Sequence, residues 1–288
     1  MSSVNEVRVT VQSNSAMKVM VQVTGPPEQD RSPLRFGIGN AKLDPGIWTF
    51  SLPAGHACPK SRECRSQADR RDGTIRDGRQ SRFRCYASTM EARHSSVRRS
   101  RWFNFERLKG CDSPEAMTRL ILDSLSPFCR ILRVHDSGDF FSLDYLDAWL
   151  NAARERPETT FYWYTKSVAF WVARLALIGT GYSPGELSNV VPTASWGGTE
   201  DHLINDHGLR SARVVFSEEE AQALRLELDH DDSHAMNYGP DFALLLHGTQ
   251  PAGSDAAAAA RLIRDAGFRG YGARPGRLPL NIWSTENE

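Results

Sequence analysis

Cys58, Cys64 and Cys85 are the residues of this 288-residue chain best placed by type and spacing to do chemistry. Five residues separate the first two, and twenty separate the second from the third. They lie in a long polar, arginine-rich loop over residues 53–87 that is nearly free of apolar side chains. Such an insert has no core of its own, and an inorganic group bound by three thiolates would order it. Three thiolates suit a 4Fe-4S cluster with one iron left open, or zinc completed by a fourth ligand, for which His56 stands nearby. Structural zinc is usually held by a tight C-x₂₋₄-C knuckle. None is present here, which favours the cluster. Cys111 and Cys129 stand beside apolar or helical sequence and read as ordinary thiols.

The elements that must position these cysteines are strands alternating with helices. Residues 34–38 and 47–52 read as strands, the second leading into the cysteine loop. A basic helical segment follows over residues 88–109. Ser113-Pro114-Glu115, Ser142 and the Ser217–Glu220 capping box mark helix starts. Strands are expected near residues 131–134, 160–164, 189–192, 213–216, 242–246 and 269–273. This alternation predicts an α/β fold with parallel βαβ units, arranged as a (β/α) barrel or partial barrel. No Gly-x-Gly-x-x-Gly follows a strand, which argues against a dinucleotide fold. Residues 1–30 read as an N-terminal arm or hairpin, and residues 31–288 as a single barrel-like domain.

Parallel barrels gather reactive groups at the C-terminal ends of their strands. Here those ends carry Asn40 and Lys42; His135, Asp136, Ser137 and Asp139; Lys166 and Ser167; Ser195; His247 and Gln250; and Arg274. His135, Asp136 and Lys166 are the candidates for catalysis, and the others are candidates for binding a small-molecule or nucleotide ligand. The acidic run at residues 230–234 reads as a solvated helix end.

Formal net charge is zero, but residues 59–109 hold fifteen Lys/Arg against six Asp/Glu, a local balance of +9. Arg98, Arg99, Arg101 and Trp102, with Phe103 and Phe105 close by, form a candidate nucleic-acid surface in which cations track phosphates and rings stack on bases. An odd number of cysteines in a chain of this size does not suit a secreted disulfide framework. No signal pattern and no membrane-length apolar run is present, so a cytoplasmic location is expected.

The motifs CPKSREC…CYA, LRVHDSGDFFSLDYLDAWL and FYWYTKS resemble those of the gene-product-eighty-eight-like family of phages and mobile elements. The resemblance runs from about residue 39 to residue 167, and more weakly to LLLHGTQPAGS. A looser similarity to radical-SAM-like proteins implies a three-cysteine cluster on Cys58, Cys64 and Cys85 that binds S-adenosylmethionine at a barrel mouth. The spacing of these cysteines departs from the usual C-x₃-C-x₂-C of that group. The leading expectation is an iron–sulfur enzyme acting on nucleic acid or a nucleotide. The alternatives are a zinc-stabilised nucleic-acid-binding protein without catalytic activity, and a redox or oxygen sensor.

Overall fold

The computed structural model describes residues 33–40 and 42–267. The described residues begin with β1 (Phe36–Ile38) and β2 (Ile47–Ser51), an antiparallel pair. A small hairpin of β3 (Ser66–Ala68) and β4 (Ile75–Asp77) forms inside the cysteine stretch. Then come α1 (Tyr86–Arg93), α2 (Ser95–Lys109) and α3 (Pro114–Ser124). Beyond them strands and helices alternate: β5 (Ile131–Ser137), α4 (Leu143–Glu155), β6 (Thr160–Thr165), α5 (Val168–Val172) with α6 (Leu175–Ile178), β7 (Val190–Ser195), α7 (His202–Asp206), β8 (Ser211–Val215) and α8 (Glu218–Ala223). The described elements end with β9 (Glu227–Leu228), β10 (Phe242–Leu245) and α9 (Asp255–Asp265).

Among the described residues the central sheet has eight strands in the order β1-β2-β5-β6-β7-β8-β10-β9. Every neighbouring pair except β1–β2 is parallel. The barrel does not close among the described residues, because β1 and β9 are edges that do not pair with each other. The first strand turns back because only eight residues join it to β2, too few for a parallel crossover. The strand expected over residues 269–273, the arm over 1–30 and Arg274 all lie outside the described residues.

Alternation along the strands separates two packed faces. On one face Phe50, Leu132, Phe161 and Trp163 meet helix residues such as Tyr145, Trp149 and Val168. On the other, Tyr162, Val191, Ala212 and Phe242 are covered by Ala235 and Met236 from the connection before β10. Tyr162 thus faces away from its neighbours Phe161 and Trp163, as the period of two requires.

The helix starts follow local chemistry. Ser113, Ser142, Ser217 and Ser254 each accept a hydrogen bond from the amide three residues on, and each such cap is worth about 1 kcal/mol. Two expected helices are divided. The basic segment breaks at His94, whose backbone is extended, and the helix after β6 breaks at Ala173-Arg174.

Candidate functional site

The cysteine stretch leaves the C-terminal end of β2 and folds over the mouth of the sheet. The amide of Gly55 donates to Cys58 Sγ at 3.3 Å. Cys85 is the N-cap residue of α1; its side chain makes no cap hydrogen bond, and its amide donates to Ser66 Oγ at 3.3 Å. Gln250 accepts from the Arg84 amide at 2.7 Å and donates to the Arg84 carbonyl at 3.2 Å, which fixes the residue before Cys85. Cys58, Cys64 and Cys85 all line one cavity of about 180 Å³.

Burial pushes all three thiols upward. Cys58 lies well above its ordinary range, with Asp139, Cys85 and Cys64 adding to the effect of burial, and Cys85 reaches about 12. Cys64 is raised by burial and partly offset by the positive charge of Lys166. Three such thiols lose their protons together only if a cationic centre binds them, as iron or zinc does. The Gly55 amide on Cys58 is the kind of contact that stabilises a metal-bound thiolate. Among the described residues, no group of three or more His, Cys, Asp or Glu side chains could hold a metal ion as it stands. His56 is turned elsewhere: its Nε2 is 3.1 Å from the Ala68 carbonyl and its ring packs against Trp102 at 4.9 Å. It does not line the cavity and is not the fourth ligand in this arrangement.

The insert is also held without any bound group. Arg62 and Glu63 donate to the Gly197 carbonyl, Thr199 donates to that of Lys60, and Lys60 pairs with Glu200 at 2.6 Å. Arg98 reaches the carbonyls of Glu91, Arg70 and Arg71. Order in this stretch is therefore built from backbone hydrogen bonds and ion pairs, which correctly paired polar residues supply without an apolar core.

Around the thiols the strand ends converge as expected. His135, Asp136, Ser137, Asp139, Lys166, Ser195 and His247 line the same cavity. Their positions depend on β5, which carries two more residues than β2 between the pairs Thr49–Arg133 and Ser51–Ser137. Within this bulge His135 adopts φ +70°, a left-handed backbone costly for any non-glycine residue. Gly138, with φ +91°, follows; a Cβ there would meet Leu52 Cβ at 2.6 Å, so the turn can approach β2 only with glycine.

The individual roles differ. His135 is buried and held down to about 3 by burial and by Arg133, so it is neutral near pH 7. Its Nε2 is 3.0 Å from the Tyr145 hydroxyl, and its Nδ1 has no partner. It can therefore position a group by hydrogen bonding, but it is a poor proton acceptor. Lys166 donates to Ser195 Oγ at 2.7 Å, to the Ser195 carbonyl at 3.1 Å and to the Trp196 carbonyl. Asp139, raised to about 6 by burial, accepts from Thr165 Oγ1 and from the Phe140 and Lys166 amides, tying β5 to β6. Ser167 donates to the Phe140 carbonyl and does not line the cavity; its place is structural. Gln250 is likewise a positioning group rather than a lining one.

A second, larger lobe of about 490 Å³ adjoins the first, and the two share Tyr86, Arg133, Asp136, Leu244 and His247. Asn40 and Lys42 line it. Asn40 Nδ2 donates to Asp136 at 3.1 Å, and Lys42 pairs with Asp232 at 2.5 Å. Asp232 also accepts from Arg133 at 2.8 Å and from the Tyr162 and Tyr164 hydroxyls. Burial alone would raise its carboxyl, but Arg133 and Lys42 hold it at about 2. The run at residues 230–234 is thus not a solvated helix end, since Asp232 is fully buried beneath the lobe. The signal available in the sequence was Arg133 itself, a lone charge inside the apolar ILRV strand. Tyr86 and Glu91 gave none, and in the sequence Arg101 reads only as part of a nucleic-acid surface.

The candidate nucleic-acid surface is rearranged. Arg98 and Arg101 are buried, with their guanidinium groups on carbonyls and on Glu91, so they do not face solvent. Trp102 packs against His56 and under Arg70. Arg99 is exposed.

Comparison with known proteins follows the same residues. A family model described as "Gene product 88" matches residues 29–266. A "Gene 88 protein" of Mycobacterium phage L5 is 30% identical over 91 residues, and its namesake in Mycobacterium phage D29 is 29% identical over 91 residues. Each match covers 28% of this chain, and the chain spans only 38% of the length of each relative. No solved structure matches. The looser similarity to radical-SAM-like proteins finds no support among these relatives.

Proposed function

The chain belongs to the gene product 88 family of phage proteins, and from that premise we propose that it is an iron–sulfur enzyme with a 4Fe-4S cluster on Cys58, Cys64 and Cys85. One observation carries this reading. Three half-buried cysteines from a single insert line one cavity with Lys166, Asp136 and His135, where six parallel strands end. The run of β2, β5, β6, β7, β8 and β10 in sequence order, with its ends bordering a common cleft, also supports a partial-barrel description. With one iron unligated by cysteine, the cluster would supply electrons and an open coordination position, for which S-adenosylmethionine is a candidate ligand.

The surrounding residues have distinct tasks. The fixed ammonium of Lys166 sets positive charge beside Cys64, favouring its thiolate. Asp136, which faces both lobes, accepts from the Tyr86 hydroxyl at 3.0 Å and is the base within reach of a ligand. His135 orients a ligand as a neutral imidazole. The test is anaerobic purification followed by iron and sulfide analysis and absorption spectroscopy. Brown protein with roughly four irons per chain is expected, and its loss in Cys58→Ser, Cys64→Ser and Cys85→Ser separately. Colourless protein that takes up no iron on anaerobic reconstitution overturns the reading.

A second reading, nucleic-acid binding, rests on a different set of arginines. Arg65, Arg71, Arg76, Arg79 and Arg99 are exposed, and among the described residues none makes an ion pair. Steeply salt-dependent binding of DNA or RNA, flattened by Arg76→Ala with Arg79→Ala, would support it.

A further inference from the structure

The larger lobe borders the cysteine cavity but is made of different chemistry. Arg101 and Arg133 lie on its wall, only 5% and 9% exposed. Each is held from behind by a fully buried carboxylate. Arg101 Nη1 is 2.9 Å from Glu91 Oε1, and Arg133 Nη1 is 2.8 Å from Asp232 Oδ2. Neither carboxylate lines the lobe. Among the described residues, every hydrogen bond of these two guanidinium groups goes through Nη1. The Nε of Arg133 is buried with no partner at all. Asp136 lies between them but is out of hydrogen-bond range, 3.9 Å from Arg101 Nη2 and 3.7 Å from Arg133 Nη1. Its Oδ1 is engaged by Tyr86 and Asn40, while its Oδ2 faces Arg101 at ion-pair distance.

Two rigid forks are thus fixed at one end and left with donors at the other. This is the arrangement that recognises oxyanions bidentately, and guanidinium groups do it better than ammonium groups. A tetrahedral phosphate, with three terminal oxygens, can meet two forks at once; a carboxylate has only two oxygens. Phe36, Met90, Val97 and Leu244 give the wall an apolar part, beside polar Asn40, Lys42, Asn104 and Asp136, and the Tyr86 and His247 rings lie 4.9 Å apart where the lobes meet. A cavity of about 490 Å³ has the size of a small-molecule site.

We infer that the larger lobe binds a small phosphate-bearing molecule, its phosphate read by Arg101 and Arg133 and its apolar or aromatic body lying along Met90, Val97 and Leu244. This goes beyond the cluster reading and does not depend on it.

The experiment is calorimetric titration and thermal melting of the full chain with AMP, adenosine and inorganic phosphate. AMP binds and raises the melting temperature; adenosine has no effect, and phosphate alone acts more weakly than AMP. Arg133→Lys keeps the charge beside Asp232 but removes the fork. It weakens AMP by roughly ten- to a hundredfold, the size of one or two lost charge-assisted hydrogen bonds. Arg101→Lys acts in the same direction. Met90→Trp fills the lobe, leaves both arginines in place and also abolishes AMP binding. Cys85→Ser leaves AMP binding intact while losing iron, so failure here is distinguishable from failure of the cluster. Absence of AMP binding overturns the inference, as does binding unchanged by Arg133→Lys and Met90→Trp, or adenosine matching AMP.

Discussion

Asp232 is the residue on which the inner face of the sheet turns. It is fully buried, yet it takes hydrogen bonds or ion pairs from Arg133, Lys42, Tyr162 and Tyr164. Its folded-state pKa, about 2, is below the ordinary 3.8, so the carboxylate stabilises the fold fully above pH 3.8 and loses that contribution as pH falls through 2. The contribution is on the order of 2 kcal/mol. Asp232→Asn would leave Arg133 and Lys42 beside a neutral amide, at a cost of about 3–5 kcal/mol. Denaturant titrations at neutral pH should show that loss. Repeated between pH 4 and pH 2, they should show a flatter acid dependence than the wild type. An unchanged acid profile would mean that Asp232 does not hold this network together.

At the scale of elements, the cysteine insert and α2 are one unit. Arg98 on α2 closes it by donating to the carbonyls of Glu91, Arg70 and Arg71, and it packs against Gly73. Arg98→Ala should cost about 2 kcal/mol, because the buried Glu91 carbonyl and the partly buried Arg70 and Arg71 carbonyls lose their donor. Trypsin should then cut within residues 69–73. Arg99→Ala, one residue on but exposed, should stay within about 0.5 kcal/mol of wild type and resist cleavage. Equal behaviour of the two variants would show that the arginine-rich helix is surface after all. The pair also shows why the basic segment misleads when read by composition. Arg98 and Arg99 differ by one position on the helix, and that rotation takes one guanidinium into the core and leaves the other in water.

For the molecule as a whole, the polar anchoring of the insert separates metal from fold. The stretch is tied to the connection after β7 by Arg62, Glu63 and Thr199, and to β10's following turn by Gln250. If the proposed cluster is held, its chelation should therefore bleach the protein yet leave its far-ultraviolet circular dichroism unchanged and residues 53–87 resistant to protease. Collapse of the spectrum on chelation would show instead that the bound group nucleates the fold. No described helix is long and apolar enough to cross a membrane.

Local chemistry was legible without coordinates. Serine caps, the period-two strands and the polar strand ends of β5, β6 and β7 follow from hydrogen bonding and side-chain alternation between near neighbours, and they place His135, Asp136, Lys166 and Ser195 beside the three cysteines. Long-range pairing was not legible. The reversal of β1, the turn of His56 toward Ala68, the burial of Asp232 under Lys42 and Arg133, and the Arg101–Glu91 pair each join residues whose individual types are compatible with a solvent-exposed surface. Charge in a sequence states only that a partner or water is required. Which of the two satisfies it depends on what the sheet brings close, and that is decided only when the chain folds.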